Sequence, residues 1–158
     1  MITTDDLLWY LDSALDGMVE IVEELGDDLA CRRLDTPGAN SPYAILTHCL
    51  GVMTYWGGEV IAGHEVERDR DAEFVAAGRV SDLVTRVREV RDQLDVDLAA
   101  FDPLAPPRGE LDPDDSSTPL GATQGGVLLH VYEELAQHRG QLEVTRDVLL
   151  AQSEHVST

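Results

Sequence analysis

"LLHVYEELAQHRGQLEVTRDVLL", residues 128–150, decides the fold class. Leu128, Val131, Leu135, His138, Leu142, Thr145 and Leu149 follow one another at spacings of three and four without a miss. That rhythm holds one stripe of an α-helix against a neighbour, as in the seam of a helical bundle. The helix is expected over about 123–152, with a frayed end after it. One residue in the stripe is a misfit. His138 stands where Leu or Val is expected, and Glu134 stands one turn before it.

Three similar patterns lie upstream. The first covers about 5–25, with Thr3 or Thr4 as cap and Asp5 and Asp6 at the positive end of the helix dipole. Its stripe is Leu8, Leu11, Leu15, Met18, Val22 and Leu25, and Gly26 should end it. The second opens on Ser41-Pro42, a good N-cap followed by a proline whose missing N–H costs nothing in the first turn. Its seam reads Ile45, His48, Val52, Tyr55 and Glu59, and Gly57-Gly58 softens its end near 62. The third is expected to start at Ser81 and to present Val84, Val87, Val90 (or Arg91), Leu94, Leu98 and Phe101.

No segment reads as a convincing strand, and neither an internal repeat nor a second domain is evident. Four amphipathic helices can bury their stripes only against one another. The expected fold is therefore an all-α four-helix bundle, a single domain over residues 1–158. The connections 26–40 and 102–122 are long enough for crossovers, so up-down-down-up order is as accessible as up-down-up-down. Residues 63–80 read as polar and irregular. The Pro- and acid-rich stretch 102–122 reads as a crossover or a lid.

Composition narrows the function. There are 31 acids against 11 bases, all of them Arg, for a net charge of −20. Binding to phosphate backbones needs clustered cations, and none are clustered here, so nucleic acid and anionic membrane surfaces are not expected partners. No run approaches the length of a membrane span. The start, "MITTDDLLWYLD", lacks the charged and apolar regions of a signal peptide, so a cytoplasmic protein is expected. Cys31 and Cys49 form no CxxC pair and are expected as free thiols, Cys49 as a small buried hydrophobe.

Two seam histidines on different helices, His48 and His138, carry the functional signal. Residues at i and i+4 share a helix face, so Glu134 and His138 can hold one ion, or can simply stabilise the helix as a pair. A facing His48 would complete a His₂Glu set with an open position for water or substrate. His130 competes for Glu134, also at a spacing of four, but only His138 falls in the seam. Glu133 is rotated off that face. Tyr55 and Trp56, two turns beyond His48, line the expected pocket or pack the core. His64 and His155 are assigned no role.

At these residues the chain resembles the DinB-like superfamily of metal-binding four-helix bundles, in particular its mycothiol-dependent maleylpyruvate isomerase and thiol-transferase branch. "SPYAILTHCLGVMTYW", residues 41–56, and the final helix with its Glu-x₃-His and following Arg-Gly-Gln carry the likeness, which spans nearly the whole chain. The resemblance implies a divalent metal, zinc or nickel, held by His48, Glu134 and His138. The glutamate at 134 points to the mycothiol branch, where many other members have histidine. Isomerases of that branch carry an additional C-terminal domain, and this sequence departs from them there. Homodimers are common in the family, and exposed bundle faces would allow one.

The implied chemistry is thiol transfer. A metal-bound low-molecular-weight thiol such as mycothiol is deprotonated and can attack an electrophile, in detoxification or stress. Water in the same position would make a metal-dependent hydrolase instead. A non-catalytic metal-binding bundle is the third reading.

Overall fold

The computed structural model describes residues 2–111 and 118–156. Residues 112–117 of the Pro- and acid-rich stretch, and the side chain of His155, lie outside the described residues. The described chain is helical, with no strand among the described residues. Helix α1 spans Thr4–Ala30. Helix α2 spans Pro42–Met53 and continues into a π-helical stretch, Thr54–Ala62. A short α3, Arg70–Glu73, precedes α4, Val80–Asp97, which tightens into a 3₁₀ turn at Leu98–Ala100. A single turn, α5, Pro119–Ala122, leads into α6, Gln124–Val156.

Local chemistry explains the starts. Thr3 caps α1: its side chain accepts from Asp6 N, and the Asp6 carboxylate accepts from Thr3 N at 2.9 Å. Each satisfies a donor that the helix end leaves orphaned. Ser41 does the same for α2, accepting from Ala44 N at 3.2 Å, with Pro42 in the first turn.

The long helices bury their stripes in a common core. Leu11, Leu15, Met18, Val22 and Leu25 of α1 meet Ile45, Leu46, Leu50 and Met53 of α2, with Leu128, Val131, Leu135, Leu142 and Leu149 of α6. Helix α4 adds Leu83, Val84, Val87 and Leu94. Along α1 and α6 the paired residues climb together. Tyr10 lies beside Tyr132, Arg139 Nη1 donates to the Ser13 carbonyl at 3.0 Å, and Arg146 pairs with Glu24. Helix α2 runs against α6, so that His48 meets His138 while Trp56 meets His130.

Three features differ from the sequence expectation. Gly26 leaves the helical backbone as anticipated, at φ 65°, but the helix resumes for another turn to Ala30. Only a residue without Cβ takes that conformation at little cost. The resumed turn has a use: Asp27 Oδ1 accepts from Val80 N at 2.7 Å, so a carboxylate from α1 serves the start of α4. Ser81, the expected start of the third helix, already lies inside α4. Lastly, the π-helical stretch carries more residues per turn than an α-helix. The buried stripe therefore shifts after Met53 to Gly57, Gly58, Val60 and Ile61, leaving Tyr55 and Glu59 half-buried.

Candidate metal centre

His48 projects from the middle of α2 and is buried, at 4% exposure. Glu134 and His138 project one turn apart from α6 and are partly exposed. Antiparallel packing of α2 on α6 brings the three together. Glu134 Oε2 lies 3.6 Å from His48 Nε2 and 3.6 Å from His138 Nε2. The two imidazoles meet edge to face at 5.1 Å between ring centres. One ligand atom from each residue fits within a 4.8 Å span.

These separations are compatible both with ion pairs and with a shared cation. At 3.6 Å an N–H···O contact is too long for a good hydrogen bond. Two donors sharing an ion through bonds of about 2.0–2.1 Å stand about 3.4 Å apart at a tetrahedral angle. Two imidazoles and a carboxylate are ordinary ligands of divalent first-row ions. The donor set therefore fits a divalent first-row cation.

Both rings are oriented from behind. His138 Nδ1 faces Gln141 Oε1 at 2.9 Å, within α6. His48 Nδ1 faces Glu73 Oε2 at 2.8 Å. Glu73 is in turn gripped by Arg68, Nε to Oε1 at 2.7 Å and Nη2 to Oε2 at 3.0 Å. Phe74 stacks on the His48 ring at 4.7 Å.

Electrostatics follow this arrangement. The nearby imidazoles, His138 first and His48 next, hold the Glu134 carboxyl well below the usual carboxylate range, against the opposing effect of burial. Glu134 pushes His138 up, burial opposes it, and Gln141 adds to the rise. Burial pushes Glu73 up, but the hydrogen bonds from Arg68 and His48 together outweigh it and leave the carboxyl below its ordinary value. Cys49, next to His48, is fully buried and free, and burial raises its thiol far above the ordinary range.

His130 lies at the rim. Its Nε2 is 4.0 Å from Glu134 Oε1, on the other carboxylate oxygen from the cluster, and its ring meets Trp56 edge-on at 5.1 Å. Trp56 touches Tyr55, over whose ring Arg68 lies at 5.8 Å. Glu133 is exposed. His64 faces Asp97 at 2.9 Å, away from the cluster.

Sequence reasoning missed Arg68, Glu73 and Phe74, which belong to the stretch read as polar and irregular. One signal was available. Gly51 stands one turn after His48 inside the last turn of α2, and within a helix glycine costs about 1 kcal/mol relative to alanine. A β-carbon there would lie 1.9 Å from Glu73 Oε1, so the glycine marks the place where α3 docks.

A family model described as Mycothiol-S-transferase matches residues 6–150. No curated protein matches the chain at a significant level.

Proposed function

The chain belongs to the mycothiol-S-transferase family, and from that premise we propose that it joins a low-molecular-weight thiol of the mycothiol type to an electrophilic small molecule at a cation site formed by His48, Glu134 and His138. The observation that carries this reading is the convergence of those three donors from α2 and α6, each imidazole with its other nitrogen already engaged. When bound, zinc or nickel supplies positive charge beside the thiol sulfur and so favours the thiolate at neutral pH.

The remaining work falls to the chain's own groups. Glu134 brings one negative charge, which leaves a divalent site with net positive charge to attract a thiolate. His48, buried and clamped by Glu73 and Phe74, forms the rigid wall. Glu134 and His138 keep about a quarter of their side-chain surface exposed, which makes this edge the side from which thiol and electrophile approach. Trp56 and Tyr55, next to His130 and Arg68, supply aromatic surface beside that edge. A role in detoxification or stress follows from the chemistry, since capping an electrophile with a thiol removes its reactivity.

The test is direct. Purified protein is expected to hold one divalent ion per chain, and His48→Ala to lose it. Consumption of a thiol with monobromobimane as test electrophile should rise above the uncatalysed rate only in the metal-loaded protein. Full activity in metal-free protein would remove the cation from the reaction.

A further inference from the structure

On the cation site proposed above, we propose that Glu73 is its positioning residue: held by Arg68, it fixes His48 in the tautomer whose Nε2 lone pair faces Glu134 and His138. Nothing in the family match assigns a role to Glu73 or to the segment around it.

The tautomer follows from counting donors and acceptors. An ionised carboxylate only accepts hydrogen bonds, and a guanidinium only donates them. Glu73 Oε1 accepts from Arg68 Nε, while Oε2 accepts from Arg68 Nη2. The 2.8 Å approach of His48 Nδ1 to Oε2 is a hydrogen bond only if Nδ1 carries the proton. A neutral imidazole protonated at Nδ1 has its lone pair on Nε2, the atom that faces Glu134. The opposite arrangement would need Arg68 Nη2 to donate to Nδ1 and Nε2–H to donate to Glu134. Those distances are 3.4 Å and 3.6 Å, both poorer than 2.8 Å. The geometry selects the first.

Orientation is fixed as well as protonation. The Glu73 hydrogen bond holds one edge of the ring, and the Phe74 stack, at 26° between planes, holds one face. Gly51 provides the floor on which the Glu73 carboxylate rests. A pair that served only to staple the 66–74 segment could have stayed in solvent, where burial of charge is avoided. Here the carboxylate is buried, at 7% exposure, and a buried carboxylate is tolerated only when its lone pairs are occupied. Arg68 and His48 together occupy them. Because Arg68 cancels the Glu73 charge, the pair steers His48 without adding net charge to the site.

Partners of this kind orient metal-ligating histidines and raise their basicity, and losing one weakens metal binding by about 10- to 100-fold. The test uses full-length wild type, Glu73→Gln and Gly51→Ala. Zinc affinity is read by competition with a chromogenic chelator, melting temperature in the metal-free proteins, and the His48 tautomer from ¹⁵N shifts. Wild type is expected to show protonated Nδ1 at His48 before any metal is added. Glu73→Gln is expected to bind zinc about 10- to 100-fold more weakly, with a mixed His48 tautomer. Gly51→Ala, which displaces the carboxylate without changing it, should reproduce both effects. Zinc affinities within about twofold of wild type in both variants, or a wild-type His48 protonated at Nε2, would overturn the assignment while leaving the cation site standing. Wild type that binds no zinc at all would overturn both.

Discussion

Asp27 Oδ1 lies 2.7 Å from Val80 N, so the end of one helix caps the start of another 53 residues later. The contact satisfies an N-terminal donor of α4 that Arg79, at the cap position, leaves without a side-chain bond. Caps of this type contribute about 0.5–2 kcal/mol. Asp27→Ala is expected to lower unfolding stability by that amount in urea titrations. Ser81→Ala, at the position that local sequence suggests as cap, should change it by less than about 0.5 kcal/mol. Equal losses would contradict the assignment of the cap.

Glu134 and His138, rather than Glu133 and His130, are the α6 residues aimed at His48. Metal content after dialysis should therefore fall below about a tenth of wild type in Glu134→Gln and His138→Ala, which each remove a ligand. Glu133→Gln and His130→Ala should keep it. Retention in His138→Ala together with loss in His130→Ala would move the site one turn along α6.

The N-terminal cap gives a pH signature. Hydrogen bonds from the Thr3 backbone and then its hydroxyl hold the Asp6 carboxyl below its usual range. A carboxyl depressed in the folded state contributes stability that is present above its unfolded value, about 3.9. That contribution is lost as pH falls through the lower folded value. A ¹³C titration should find Asp6 below the ordinary Asp range, and Thr3→Ala should raise it. An Asp6 value indifferent to Thr3→Ala would rule out the hydroxyl as a cause and leave the backbone N–H of Thr3 alone responsible.

Leu135 sits fully buried in the α6 seam, between the turns that carry Val131 and His138. Leu135→Ala removes its packing and leaves a cavity, at a cost of about 2–5 kcal/mol. Val144, 65% exposed on the opposite face, should tolerate alanine within about 0.5 kcal/mol. Denaturant midpoints for the two variants check the phase of the whole seam.

The helices and the three residues of the candidate site, His48, Glu134 and His138, were legible because both depend on local periodicity and spacing. A stripe that repeats every three to four residues names its own neighbours, and His48 and His138 stood out as polar members of apolar stripes. Tertiary caps and hydrogen-bond partners have no such period. Asp27 and Glu73 act on elements distant in sequence, and nothing in their immediate flanks declares the target. Tyr55 and Glu59 show a different limit: the seam was extended at α-helical pitch through a stretch that winds as a π-helix, so its phase was lost after Met53. Gly51 was the one local mark of the docked carboxylate, and a glycine inside a helix says that something comes close without saying what.

The pairing of α1 with α6 has a consequence for biosynthesis. Arg139 reaches the Ser13 carbonyl across 126 residues of chain, and α6 supplies much of the apolar seam that α1 and α2 face. On the ribosome, the first helices emerge with their stripes uncovered and wait there for the 33-residue α6 to leave the exit tunnel. The nascent chain should therefore engage holding chaperones until α6 is free, and ribosome-stalled chains that stop before residue 124 should remain protease-sensitive.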